Sequence, residues 1–231
     1  MKITSQFDTD LLINTLLEKD HEVFTRPFEL NIVGIRANST EANSFDDQIQ
    51  VLFYDDAGEP YHFIFNATTD PGTYWLKNPA VKQGTAILAQ GQYRNAYQIG
   101  LHRGKYEALV QIKPVTVIRD YDRNAKLDFL NGRTETGMLG INLHHASSNG
   151  VTKTIDEYSA GCQVFADIND FNLFMRLCSK QKDLYGNVFT YTLIDQRALS
   201  RTRRRWITYG IAAVGGSITA GLLLYKLVKS K

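Results

Sequence analysis

Cysteine is scarce in this chain: Cys162 and Cys178 are its two sulfhydryls in 231 residues. Two cysteines give no disulfide framework, so the fold must rest on an ordinary core. No internal repeat and no low-complexity tract interrupts the sequence. Acidic residues are missing altogether from 197–231, which carries eight basic residues and a net charge of +8. The preceding 196 residues hold all 24 acidic residues against 18 basic ones, a net of −6. An acidic domain argues against nucleic acid as a partner, since a polyphosphate wants a basic face. The start, Met1-Lys2-Ile3-Thr4 running into Asp8 and Asp10, has no basic segment followed by an apolar run, so no export signal is expected. Hydrophobic residues make up 43% and aromatics 11%, enough for one domain with accessories.

Periodicity supplies a coarse map. Phe7, Leu11, Leu12, Leu16 and Phe24 recur near helical spacing and Pro27 limits the run, which predicts a helix over 7–24 in an N-terminal segment 1–27. Strands are expected at 29–36, 48–54, 61–66, 85–89, 96–101, 107–118 and 188–193, with turns at 55–58 and 70–72. A helix is expected at 168–179, with Cys178 on its apolar face as a core residue. The sum is a mainly β domain over 28–196 with a few helices.

The basic C-terminal part asks for its own explanation. Trp206 to Tyr225 is twenty residues without a charge, bounded by Arg203-Arg204-Arg205 and by Lys226, Lys229 and Lys231. As a helix this run would be about 30 Å long, the thickness of a bilayer's hydrocarbon core. Trp206, Tyr209 and Tyr225 lie near its ends, as interfacial aromatics do. The expectation is a basic linker at 197–205, a single membrane span at 206–225 and a basic tail at 226–231. Ala212, Gly216 and Ala220 recur every four residues, a spacing suited to self-association. Charge bias around the span places the domain in the cytoplasm by a small margin.

The densest chemistry lies in Ile141-Asn142-Leu143-His144-His145 and Ser159-Ala160-Gly161-Cys162. A thiol preceded by glycine can sit exposed on a tight turn, and a histidine on a neighbouring strand can take its proton. Backbone N–H groups of Gly161 and Cys162 would then face a developing oxyanion. If 143–145 is a strand, His144 and His145 point to opposite faces, and the spacing favours His144 as the base.

These two segments resemble the motif of the bacterial L,D-transpeptidases, cysteine enzymes of peptidoglycan. That motif is a histidine, a spacer of fourteen to seventeen residues, then Ser/Thr-His-Gly-Cys. Fourteen residues separate His144 from Ser159, and Ser159, Gly161 and Cys162 match. Ala160 stands where the motif has histidine, and Gln163-Val164 where polar residues usually follow. The resemblance covers roughly 85–195 and extends to proteins encoded by bacteriophages and bacteria. It implies a β-rich sandwich and acyl transfer or hydrolysis at a peptidoglycan stem peptide. Cys162 would be nucleophile, His144 base, Gly161 part of the oxyanion site and Ser159 an orienting group. A wall enzyme implies a wall-facing domain, against the charge bias. A non-catalytic wall-binding or structural module with a degenerate site, in an envelope or a phage particle, is the alternative.

Other polar groups invite roles. His102 and Arg103, with Tyr93, Arg94, Tyr97, Arg119 and His145, are candidates to line a cleft for an acidic peptide. Asp120, Asp122, Asn124 and Asp128 place oxygens at positions one, three, five and nine of a calcium-type loop, with Ala125 at the position usually held by glycine. A solvated Asp/Asn turn explains the same residues. The acyl chemistry itself requires no cofactor. A site of His144, His145, Cys162 and His102 matches no known metal-ligand spacing.

Overall fold

The computed structural model describes residues 2–3, 5–130 and 132–212. The chain runs β1 (Lys2–Ile3), α1 (Gln6–Glu18), β2 (Asn31–Arg36), β3 (Asp47–Tyr54), β4 (Pro60–Thr68), α2 (Thr73–Lys77) and β5 (Thr85–Leu88). It continues with β6 (Gly91–His102), β7 (Tyr106–Gln111), β8 (Val115–Asp120), β9 (Arg133–Gly137), β10 (Leu143–His145), β11 (Gln163–Phe165), α3 (Ile168–Tyr185), β12 (Phe189–Asp195) and α4 (Gln196–Ala212). The mainly β expectation therefore holds.

The larger sheet runs β1-β4-β11-β10-β7-β6-β12-β2-β3, and β3 pairs with β4 along its whole length. The hydrogen-bonded order thus closes on itself, so one sheet wraps a single core. Buried Ile32, Ile49, Phe65, Leu109, Leu143, Phe165 and Tyr191 fill that core, and α3 packs Phe171, Phe174 and Cys178 against it. The second sheet, β5-β8-β9, adds Ala86, Leu88, Val115 and Val117 to the same cluster. A separate cluster joins Leu12 and Leu16 of α1 to Val33 and Ile35 of β2, Leu52, Ile194 and Leu199. Strand alternation explains the division: Ile32 faces the main core while its neighbour Val33 faces the helices.

Local chemistry sets the element ends. Ser5 caps α1 by accepting the Asp8 N–H at 3.3 Å, and Asp8 itself sits in the positive first turn. The helix stops at Glu18, short of the expected 24, because Asp20 turns left-handed with φ 57°. The run expected at 107–118 is two strands, β7 and β8, split at Lys113-Pro114, since proline has no N–H for the ladder.

A buried charge network braces β2, β3 and the loop after β4. Arg36 Nε lies 2.7 Å from Asp70 Oδ1 and donates to Thr69 Oγ1 at 3.1 Å, while its terminal nitrogens donate to the carbonyls of Leu88 and Thr69 at 2.9 Å. Asp47 accepts from the amides of Ala37 and Thr69. All three charged side chains are buried. Arg36→Ala would leave two buried carboxylates without their cation, a loss of about 3–5 kcal/mol. A urea unfolding midpoint moved by less than about 1 kcal/mol equivalent would contradict this assignment.

α4 is continuous from Gln196 to Ala212, so the residues expected as a linker at 197–205 are helical. Trp206, expected at a membrane interface, packs edge-on against Phe7 with centroids 5.6 Å apart. Most of the expected span, with Gly216 and Ala220, lies outside the described residues. Among the described residues no helix is long and apolar enough to cross a membrane.

Candidate active site

β10 and β11 run parallel, with Leu143 paired to Gln163 and His144 to Val164. That register brings the two sequence segments side by side. Cys162 and Asn142 stand just before the paired strands, and the Asn142 N–H points at Cys162 Sγ at 3.4 Å. The sulfur's other polar contact is the Gly140 carbonyl, also at 3.4 Å. Cys162 is partly exposed. Burial nevertheless pushes its thiol above the ordinary value, against the pull of the Asn142 amide and the Arg103 charge. The resting Cys162 side chain is therefore a protonated thiol.

The turn that presents it is tightly built. Gly161 has φ 123°, a conformation open to glycine. Ser159 is fully buried; its hydroxyl donates to the Cys162 carbonyl at 2.8 Å and accepts the Gly161 N–H at 3.2 Å. Ser159 thus braces the turn. Gly161's N–H is engaged within it, whereas the Cys162 N–H has no acceptor among the described residues. The latter is the donor left for an oxyanion. Gln163 is also fully buried. Its amide donates to the Gly161 carbonyl at 3.2 Å and its oxygen accepts from Tyr191 at 2.8 Å, anchoring the turn to β12.

His144 Nδ1 lies 2.8 Å from the His145 carbonyl. A carbonyl can only accept, so Nδ1 carries the proton and Nε2 keeps its lone pair. Tyr106 Oη lies 3.3 Å from the same Nδ1. Burial, with His102 beside it, lowers the His144 pKa to about 3. His102 stacks on His144 with centroids 4.1 Å apart, and its own pKa falls to about 4 through burial and the charge of Arg103. Asn142 fixes the His102 tautomer. Its Oδ1 accepts the Gln111 N–H at 2.9 Å, which turns its amide nitrogen toward His102 Nδ1 at 3.1 Å. Both imidazoles are neutral at physiological pH and each has one assigned tautomer. No imidazole nitrogen hydrogen-bonds Sγ among the described residues.

Of the expected cleft residues, His102 and Arg103 belong to this cluster. Arg103 lies at the turn between β6 and β7 with φ 51°, and its charge acts on Cys162, His102 and His144. His145 faces away as strand alternation requires: it stacks on Tyr106 at 4.2 Å and meets Phe171 edge-on. Tyr97 is buried in the core with its hydroxyl within range of the Cys162 charge, whereas Arg119 pairs with Glu135 and Arg94 with Glu22, so these two are elsewhere. Three residues enter that sequence reasoning did not single out, namely Asn142, Tyr106 and Gln111. Gln111 holds the approach to Asn142 by accepting the N–H groups of Leu139 and Ile141.

The calcium-type loop forms Asx turns. Asp122 accepts the Asn124 N–H, Asn124 the Lys126 N–H and Asp128 the Leu130 N–H, while Asp120 closes the loop by accepting the Asp128 N–H. Among the described residues no group of three or more potential ligands converges on a metal position.

No family model matches this chain, and no curated protein matches it.

The neutral histidines carry a prediction. His144, and His102 and His62 at about 4, hold pKa values well below the 6.5 of an unfolded chain. The unfolded state takes up more protons below pH 6.5, so the stability from these groups is complete above 6.5 and is lost as pH falls toward 4. Asp70, pushed upward by burial, works in the opposite direction over an overlapping range. The net slope expected is on the order of 2–3 kcal/mol per pH unit between about pH 6 and 4.5. Urea midpoints across that range measure it; a flat profile would mean the imidazoles are charged in the fold.

Proposed function

We propose that this protein is an L,D-transpeptidase-like cysteine acyl transferase or hydrolase acting on peptidoglycan stem peptides, held at a membrane by its C-terminal segment. The observation that carries the reading is the pairing of a glycine-led cysteine turn with a histidine whose Nδ1 is committed to a backbone carbonyl. That tautomer leaves Nε2 with the lone pair a base needs, on the strand that pairs with the one opened by Cys162. With the thiol raised and the imidazole lowered, the proton rests on sulfur, so its transfer must be concerted with attack.

Sγ attacks the carbonyl carbon of the stem-peptide bond while an imidazole takes the thiol proton. The Cys162 N–H faces the oxyanion, the C–N bond breaks, and the departing amine takes the proton from the imidazolium. An amine or water then attacks the thioester carbon and restores the thiol. Arg103 supplies a cation suited to a stem-peptide carboxylate. His102 gives the site a second imidazole where Ala160 provides none.

The test is intact mass after exposure to a carbapenem-type β-lactam, whose ring opens on acylation and adds its whole mass. One adduct on Cys162 of folded protein is expected, and none on Cys178, which is buried in the core. Absence of the adduct, with no turnover of purified muropeptides, would overturn the enzyme reading. The second reading, a non-catalytic module that holds wall peptide, is favoured by one observation: Sγ is bonded to Gly140 and Asn142 rather than to an imidazole. It requires muropeptide binding without turnover.

A further inference from the structure

α4 opens the stretch that carries eight basic residues and no acidic one, and its arginines divide by face. One face is committed to α1. Arg203 lies over the Phe7 ring, 5.7 Å from its centroid, Arg205 pairs with Glu18 at 3.1 Å, and Thr202 donates to the same carboxylate at 2.9 Å. Arg197, Arg201 and Arg204 recur at i, i+4 and i+7, which puts them in one stripe along the helix. With Asn38, Gln196 and Ser200 they line an open cavity of about 470 Å³. Arg197 is matched by Asp195, Nη2 to Oδ2 at 2.9 Å. Arg201 and Arg204 are exposed and have no carboxylate partner among the described residues.

Guanidinium groups fit phosphate oxygens through paired N–H donors, and the Ser200 hydroxyl and Asn38 amide at the same cavity are suited to a neutral glycerol. Position selects the source of the phosphate. The stripe ends at Arg204, and the uncharged run begins at Trp206. Cations next to such a run stand at the depth of lipid head groups. The net −6 charge of the preceding 196 residues disfavours a long polyanion such as nucleic acid. We propose that Arg197, Arg201 and Arg204 form a binding site for the phosphate of an anionic glycerophospholipid, which seats the domain against the bilayer. This lipid site rests on the membrane-anchored reading of the C-terminal segment and is independent of the chemistry at Cys162.

The test uses the full chain in an uncharged maltoside detergent, titrated calorimetrically with dihexanoylphosphatidylglycerol, dihexanoylphosphatidylcholine and inorganic phosphate. Saturable binding of the phosphatidylglycerol is expected, weakened about thirtyfold in the Arg201→Gln/Arg204→Gln variant. The Arg201→Lys/Arg204→Lys variant keeps the charge without the planar fork and should fall between the two. Urea unfolding midpoints should agree among all three proteins, which reports their folding. Equal affinity of wild type and glutamine variant overturns the proposal. So does phosphatidylcholine binding as tightly as phosphatidylglycerol, or inorganic phosphate binding as tightly as the lipid, which marks a free-anion site.

Discussion

Cys162→Ala is expected to abolish both the β-lactam adduct and muropeptide turnover, by at least about a thousandfold, while muropeptide binding survives. Loss of the nucleophile in a well-studied protease costs about a millionfold in kcat, and what remains comes from the oxyanion donors and substrate binding. The same logic separates the histidines. His144→Gln removes the lone pair of Nε2, so it should depress kcat far more than KM. Asn142→Ala acts at one remove. Asn142 sets the His102 tautomer through its side chain and touches the sulfur through its backbone, which alanine retains. A positioning role predicts a smaller fall in kcat and a moved pH profile. Turnover in Cys162→Ala equal to wild type would end the acyl-transfer reading. Equal binding without turnover in both proteins would establish the wall-binding module instead.

The parts of this site that were legible in sequence are those made by short, local chemistry. Ser159, Gly161 and Cys162 lie in one turn, and His144 precedes it with fourteen residues between. Residues brought in by register were not legible. Tyr106 and Gln111 reach the site because β7 is antiparallel to β10, with Leu109 beside Leu143. Nothing in the spacing of 106 and 144 announces that pairing. Asn142 was in view as part of the histidine segment, but its role depends on Gln111 turning its amide. The fold shows the same division. Strands with dense β-branched and aromatic residues were placed well, as with β3 and β4. β9, Arg-Thr-Glu-Thr-Gly, carries no apolar alternation and pairs with β8 at the end of the smaller sheet, so it has no hydrophobic signature. α2 is five residues long, too short to show a helical period. The first half of β6, Gln92 to Asn95, is polar because it lies partly at the surface, and the strand starts five residues earlier than expected.

Gly161→Ala separates the two demands that the cysteine turn makes on its backbone. With φ at 123°, any L side chain is strained, typically by about 1–3 kcal/mol. Space is the second demand. A Cβ here would run into the Ala86 carbonyl oxygen and stand 3.2 Å from the Ala86 Cβ, on a strand buried throughout its length. Neither group can swing aside as a flexible side chain would. Gly58 offers the control, because its φ is 82° and nothing lies within 4 Å of a Cβ built there. Gly58→Ala should therefore cost about 1 kcal/mol, the backbone term alone. Gly161→Ala should cost about 3–5 kcal/mol, since strand β5 or the turn must move. Because the Gly161 N–H and carbonyl are held by Ser159 and Gln163, a moved turn carries Cys162 with it. Acylation should then fall at least about a hundredfold even at temperatures where the variant remains folded, as expected for a misplaced reacting atom. Equal urea midpoints for the two alanine variants would show that the turn yields freely, and that its shape does not set the position of the sulfur.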